Sequence, residues 1–503
     1  MIPLFTPAAV RELDGRAIAG GTPSLTLMER AAAALARAVL DLAGRGYGLR
    51  VGVVCGKGNN GGDGIAAARR LARAGASPRV WLAADEQALS ADCRHQLARW
   101  RGEGGRVEID LPTMLGACDV VVDCLLGTGA AGVPQGAVAA AIDAVNAAGL
   151  PVVACDVPSG VDAASGVVPA TAVRADVTVV IGAHKIGLHL WPARGHAGRM
   201  VLADIGLQGN LKSPAAWSLE DHDVGGLLPP ADPGADKRAR GVVLVVAGAE
   251  GMPGAALLAV RGALAGGAGL VTLAAPAAVV QAVAQSAPEA IAVTLPADGA
   301  ERARLVLEQA AHSDAVVLGP GVGTAPETVR MVRTVVEACP GPLVLDADGL
   351  NAFRGDGEAL ARHAAAPLVL TPHRRELVRL VGKPDEDVWP DRLRLLGELA
   401  ARWDAVVLAK GPATVIAAPD GRCWINGTGA PALATGGTGD VLAGLLGALL
   451  ETGGGAEAVA AGAHLHGRAG ERVALGTADG IGPLAVAACL PGVRRAIGDA
   501  VWP

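Results

Sequence analysis

This chain has few aromatics, no paired cysteines, no basic stretch and no long apolar run, and each absence removes a class of protein. Aromatic residues are only 2% of 503, so the cores must rest on Val, Leu and Ala, whose small side chains let helices lie close to sheets. No run of Lys or Arg forms a basic stripe and the net charge is a modest −6. That argues against nucleic acid as the main partner and leaves anionic ligands to be held by local loops. The eight cysteines, at 55, 93, 118, 124, 155, 339, 423 and 489, contain no CxxC spacing, and several sit in apolar strand-like runs such as Val51–Cys55. They read as reduced core thiols of a cytosolic protein rather than a disulfide frame or a zinc site. The opening MIPLFTPAAVRELDG lacks a basic segment followed by a long apolar one, so no secretory signal is expected. Apolar runs elsewhere stop short of the roughly 18 uncharged residues that a membrane span needs. The expectation is a soluble, cytoplasmic protein with no membrane partner; no period of about 20–50 residues repeats, which excludes a solenoid.

What is present is alternation. A chain of this length exceeds the usual size of one core, so two domains are expected. Short Val/Ile-rich runs alternate with Ala/Leu-rich helical patterns, the signature of parallel sheets covered by helices. Strands are expected at Arg50–Cys55, Val120–Cys124, Val152–Cys155 and Val177–Ile181, then at Val242–Ala247, Ala315–Leu318, Leu343–Leu345, Leu368–Leu370 and Ala405–Leu408. Between these two groups, Asp221 to Arg240 carries Pro229, Pro230 and Pro233 and little periodicity, as a linker would. The boundary falls near residue 220, giving two α/β domains, 1–220 and 221–503.

The most informative stretch is Ala434–Gly444, ATGGTGDVLAG, where glycines, two threonines and one carboxylate stand before an apolar helical pattern. Gly436, Gly437 and Gly439 let several backbone N–H groups face one anion, and the positive end of the following helix adds to the attraction. Asp440 would repel that anion. Its place suits a base that takes a proton from a hydroxyl attacking phosphorus. A glycine turn capped by Asp, stabilising a helix N-terminus and nothing more, accounts for the isolated motif equally well.

In the first half, the strand RVGVVC is followed by GKGNNGGDG, Gly56–Gly64, and then by a helical IAAARRLARAG. Gly56, Gly58 and Gly61 satisfy the dinucleotide-binding spacing, a weak signal alone. Asn59, Asn60 and Asp63 add amide and carboxylate oxygens that suit a hard cation or a polar ligand. Two further loops follow strands, DCLLGTGAAGVPQG from Asp123 and CDVPSGVDAASG from Cys155. Ligands of open parallel sheets bind beyond the carboxyl ends of strands, so these loops should meet in one crevice and bring Asp123, Asp156 and Ser159 to Asn60.

Together with LMERAAAALARAV (Leu27–Val39), these motifs resemble, over roughly residues 1–212, the epimerase domain that repairs hydrated nicotinamide cofactors. The resemblance implies a Rossmann-like three-layer α/β/α domain that interconverts the R and S forms of NADHX and NADPHX. It implies that Asn59, Asn60, Gly61, Gly62 and Asp63, with Gly127, Thr128, Gly129, Ala130, Ala131, Gly132, Val133 and Asp156, line the substrate site. It further implies that Asn60, Asp123 and Ser159 hold a potassium ion (K+), that Asp156 is the catalytic acid/base, and that Lys185, in GAHKIGL, stands near it.

From Gly241 the chain opens as an ordinary βαβ unit. GPGVGT (Gly319–Thr324), DADGLN (Asp346–Asn351), TPHRRE (Thr371–Glu376) and KGPAT (Lys410–Thr414) then each end a strand. With GGTGD they resemble, from about residue 225 onward, a ribokinase-like domain, closer to the ADP- or ATP-dependent NAD(P)HX dehydratase than to a sugar or vitamin kinase. By that resemblance, N–H groups of Gly437–Gly439 steady the transferred phosphoryl group and Asp440 deprotonates the ring hydroxyl of the S-hydrate. Phosphorylation then makes the hydroxyl a leaving group. Lys410, Gly411, Pro412, Ala413, Thr414 and Gly439 are implied to contact the nucleotide, and Ala255, Gly323, His373 and Asp440 the hydrate. Magnesium (Mg2+) follows from the phosphate chemistry, ADP is favoured as the donor, and a homo-oligomer is expected. Two departures from the family pattern stand out: Arg374–Arg375 where Pro-Gly is common, and Gly429-Ala430-Pro431-Ala432 where Gly-Asn-Pro-Gly is common. The second bears on a substrate contact, and the two arginines are candidate grips for phosphate.

Three competing readings remain at this level. One is a hydroxymethylpyrimidine- or sugar-type kinase with a regulatory N-terminal domain. Another makes the first half a non-catalytic binding domain, which the retention of Asn60, Asp123 and Asp156 opposes. The third, prompted by Gly56–Gly61, is a hydride-transferring dehydrogenase.

Overall fold

The computed structural model describes residues 1–207, 213–228, 234–451, 453–475 and 480–502, and the chain divides into two compact units, Ile2–Ala216 and Trp217–Pro503, the latter with Met1. Both units are α/β.

In the Ile2–Ala216 unit seven parallel strands run in the order Val107–Glu108, Ser77–Leu82, Arg50–Cys55, Val120–Cys124, Val152–Cys155, Val177–Ile181 and Arg199–Ala203. The central strands are buried on both faces, which is why they read as mainly apolar runs, with Asp123 the buried exception near the end of Val120–Cys124. Chain order reverses between Arg50–Cys55 and Val120–Cys124, and at such a switch point the two following loops part and leave a crevice. Helix Asn59–Arg73 starts inside that crevice and packs so closely that Arg69 is 2% exposed. Its guanidinium is held by Glu29 at 3.0 Å, Gln96 at 2.9 Å and Glu103 at 2.8 Å, so the buried charge is fully paired. A short parallel pair joins Ile2–Phe5 to His184–Lys185.

In the second unit the parallel strands run Ile291–Thr294, Leu270–Ala275, Val242–Val246, Ala315–Leu318, Leu343–Leu345, Leu368–Leu370 and Ala405–Ala409. Val415–Ala417 and Cys423–Ile425 extend the sheet antiparallel. Helix Thr438–Leu450 is apolar nearly all round, as a helix inside a core must be. It crosses helix Pro253–Gly266 at backbone contact: a Cβ at Gly444 would stand 1.9 Å from the Ala259 carbonyl oxygen, and one at Gly262 would stand 2.2 Å from that of Val441. The reciprocal glycines fix the position of the helix that begins with the GTGD loop.

The stretch expected to be a linker departs from that expectation. Asp221–Leu227 is a helix, closed at its start by a reciprocal Glu220–Asp223 capping box. At seven residues it is too short to show a hydrophobic period. The three prolines of the expected linker lie within 229–233, outside the described residues.

Candidate active sites

The loops that follow Arg50–Cys55, Val120–Cys124 and Val152–Cys155 enclose a cleft of about 730 Å³. Asp156 sits just past its strand at a φ of +68°, a left-handed conformation that Asp tolerates better than most residues. Its Oδ2 accepts from Thr128 N at 3.3 Å and its Oδ1 from Ile181 N at 3.3 Å. Lys185 Nζ pairs with Oδ1 and donates to the Ile181 carbonyl at 2.5 Å. Lys185 is 1% exposed, and an ammonium so buried is tolerated only when paired. It is no surface lysine.

Asp123 and Ser159, both fully buried, lie behind the cleft. Asp123 Oδ1 accepts from Ser159 Oγ at 2.6 Å and from Leu125 N at 3.2 Å, and Oδ2 accepts from Ser159 N at 2.8 Å. Ser159 Oγ accepts from Leu126 N at 2.8 Å, and Asn60 Nδ2 donates to the Leu126 carbonyl at 2.9 Å. The three residues thus converge on Leu125–Leu126. Burial pushes the Asp123 carboxyl up to about 6 against those hydrogen bonds, and no basic side chain is among the charges acting on it.

Of the residues expected here, Asn59, Asn60, Asp63, Gly127, Thr128, Gly129, Ala130, Asp156 and Lys185 line the cleft. Gly61, Gly62, Ala131, Gly132 and Val133 do not. A Cβ at Gly61 would meet the Gly56 carbonyl at 2.0 Å and one at Gly62 would meet the Met28 side chain, so both glycines serve close packing.

In the second unit Lys410 Nζ lies 2.6 Å from Asp346 Oδ1, and Asp346 is 1% exposed. The GTGD loop closes on this pair: a Cβ at Gly439 would stand 3.3 Å from Lys410 Nζ and 4.0 Å from Asp346 Oδ2. Thr438 Oγ1 ties the loop down through the Leu433 and Thr435 carbonyls at 2.8 and 2.9 Å. Asp440, half-buried, has its carboxyl pushed up to about 7, by burial first and then by Asp346, Asp348 and Glu376 against the pull of Lys410. Burial also raises Glu376.

Gly323 N donates to Asp348 Oδ2 at 3.0 Å, and a Cβ at Gly321 would meet that of Ala255 at 2.7 Å, so Ala255, Gly323 and Asp348 share one mouth of the sheet. His373 aligns with Lys410 in an isolated parallel bridge, and Lys410 N donates to the Pro372 carbonyl at 2.8 Å. The His373 ring caps helix Arg374–Val381, its Nδ1 accepting from Arg375 N and Glu376 N. Thr414 Oγ1 donates to the Gly411 carbonyl at 3.1 Å and Ala413 takes a φ of +56°, which bends Lys410–Thr414 into a tight turn. Arg374 is committed to Asp385 and to the face of Trp389, 5.2 Å from its ring centre, which ties up one of the two candidate phosphate grips.

A family model described as NAD(P)H-hydrate dehydratase matches residues 243–490, and one described as YjeF-related protein N-terminus matches residues 24–187. The bifunctional NAD(P)H-hydrate repair enzyme Nnr of Moorella thermoacetica is 37% identical over 499 residues, spanning 94% of this chain and 92% of its own. This chain belongs to the family of bifunctional NAD(P)H-hydrate repair enzymes. The Salinibacter ruber member is 39% identical over 499 residues, spanning 93% of this chain and 92% of its own. A ribokinase-like superfamily protein of Enterococcus faecalis aligns with a TM-score of 0.50 and 23% identity over 57% of this chain and 98% of its own, a likeness of fold.

Around these two clusters, the sequence-level candidates omit several neighbours. Asp346, Asp348 and Glu376 surround Asp440 without having been singled out. Asp346 and Asp348 had a signal, as carboxylates at the end of the strand Leu343–Leu345, whereas Glu376 reads in sequence only as a helix-capping partner. Asp14, which lines the first cleft, had none: it sits mid-helix in a segment without a motif.

Proposed function

We propose that residues 1–220 form the domain that interconverts the R and S forms of NADHX and NADPHX, and that residues 221–503 form the domain that dehydrates the S form at the expense of ADP. The observation that carries the reading is Asp440: a half-buried carboxyl beside Lys410 and Gly439, pushed up to about 7 by burial and by the acids around it. A base of that strength suits removal of a hydroxyl proton at neutral pH. The hydroxyl oxygen then attacks the β-phosphoryl group of ADP and AMP leaves. Loss of phosphate from the ester, with a proton from the neighbouring ring carbon, restores NADH or NADPH. N–H groups at the start of helix Thr438–Leu450 and the Lys410 ammonium face the charge that develops.

In the first domain Asp156, braced by Lys185 and by Thr128 N, moves the proton of the hydrate's hydroxyl. Asn60, Asp123 and Ser159 suit K+: a fully buried carboxylate with no basic partner among the described residues, beside an amide and a hydroxyl oxygen, is a donor set for a weakly held monovalent cation. Such an ion would offset the charge of Asp123 and stiffen the loops that carry Asp156. Mg2+ would be held by nucleotide phosphates with the carboxylates of Asp346 and Asp348, since among the described residues no closed cage of three such ligands exists. It supplies neutralisation of the phosphoryl charge. The reading carries with it a cytoplasmic, homo-oligomeric enzyme, in keeping with eight free cysteines. Among the described residues no helix is long and apolar enough to cross a membrane.

The test is incubation with mixed R and S hydrates, with ADP, with ATP or with neither, while the absorbance of reduced nicotinamide is followed. Full recovery with ADP is expected. Recovery of the S fraction alone would remove the epimerase assignment, and a phosphorylated product that accumulates without dehydrating would favour a kinase.

A further inference from the structure

Asp14 lies outside every motif of the sequence, yet the fold delivers it to the first cleft. Helix Pro7–Ala19 begins at Thr6, whose Oγ1 accepts from Ala9 N at 3.2 Å, and Arg11 anchors it by donating to the Thr128 carbonyl at 3.2 Å. Val10 and Asp14 stand one turn apart on a single face, and both line the cleft that contains Asp156 and Lys185. The charged groups facing Asp14 are Lys185, Asp156 and Asp63. Burial raises the Asp14 carboxyl above its ordinary range, with Lys185 pulling it down and Asp156 pushing it up.

The chemistry calls for two proton carriers. The hydrate bears its hydroxyl on a ring carbon bonded to the ring nitrogen, so that carbon can invert by opening and reclosing the ring. Opening removes a proton from oxygen and adds one to nitrogen. Asp156, in its ion pair with Lys185, suits the acceptor, and a second carboxyl facing the same cleft suits the donor.

We propose that Asp14 is that second acid/base, giving its proton to the ring nitrogen as the ring opens and recovering it as the ring closes; the inference rests on the epimerase reading of this domain. Asp156 takes the hydroxyl proton, the O–H electrons form the carbonyl, and the C–N pair passes to nitrogen, which takes the proton of Asp14. Rotation presents the other carbonyl face. Nitrogen attacks it, Asp14 regains the N–H proton and Asp156 returns its own to oxygen, with no oxidant or co-reactant consumed.

The experiment follows conversion of purified R hydrate to S by chromatography from pH 5 to 9, with the full-length wild type, D14N, D14E and D63N. D14N should lower kcat by about 100-fold or more, a typical contribution of acid–base catalysis, with no loss of thermal stability. Any alkaline limb of the wild-type profile, the signature of a catalytic acid losing its proton, should be missing from its residual rate, and D14E should restore part of both. A wild-type kcat in D14N would overturn the proposal, as would loss of the alkaline limb in D63N with D14N unaffected. A wild type that does not epimerise at all would remove the underlying reading and this inference with it.

Discussion

Asp440→Asn is expected to abolish dehydration and, at alkaline pH, to make the protein more stable. The folded carboxyl titrates at about 7 against an ordinary 3.8, so the folded state holds this proton more tightly than the unfolded chain does. Below 3.8 both states are protonated and the group exerts no penalty. Stability falls once the unfolded chain begins to ionise, and the loss is complete above about 7, where the folded carboxyl ionises too. The interval from 3.8 to about 7 corresponds to about 4 kcal/mol. Partial exposure of the side chain and solvent screening reduce that to about 2 kcal/mol. Asparagine keeps the shape without the charge, so it removes the penalty. For a unit of this size about 2 kcal/mol raises Tm by about 3–6 °C.

Scanning calorimetry of wild type and D440N at pH 8.5 and 4.5 reads the effect. The full gain should appear at pH 8.5 and no more than about half of it at pH 4.5, since only part of the titration interval has been crossed there. A variant no more stable than wild type at pH 8.5 would refute the argument. So would an equal gain at both pH values, which would point to packing instead of charge.

Lys410→Met strands Asp346, 1% exposed, without its partner; urea titration at pH 8 should show a loss of about 2–3 kcal/mol, largely recovered in the double variant with Asp346→Asn. Asp156→Asn should stop consumption of the R hydrate while purified S hydrate is still dehydrated with ADP, both followed by absorbance. KCl should raise Tm above an equal concentration of LiCl at pH 8 but not at pH 5, where Asp123, at about 6, is protonated; Asp123→Asn should erase the difference.

The fold was legible where strands are buried on both faces. Arg50–Cys55 and Val120–Cys124 lie mid-sheet, so they are apolar apart from Arg50 at one exposed end and the buried site residue Asp123 near the other strand's end. The outer strand Ser77–Leu82 carries a proline and an arginine, and Arg199–Ala203 is partly exposed, so neither shows a clean apolar run. Sheet edges obey weaker constraints and speak more softly in sequence. The same logic separates the site residues. Asp123, Asp156 and Lys410 follow strands within readable motifs, whereas Asp14 reaches its cleft only because helix Pro7–Ala19 is anchored to the Thr128 loop.

The GTGD loop shows most sharply what three dimensions add. In sequence, Asp440 could be a helix cap. In the fold the N-cap is Gly437, with no side-chain cap, and Asp440 lies inside the first turn. A carboxylate there should be favoured by the helix dipole and titrate low. It is instead pushed up to about 7, because burial and the nearby Asp346, Asp348 and Glu376 outweigh both the dipole and Lys410. A cap selected for stability would not be placed among three other acids. On the proposed reading, their arrangement holds the carboxyl near neutrality at a cost in stability, the pattern expected of a proton-accepting functional site.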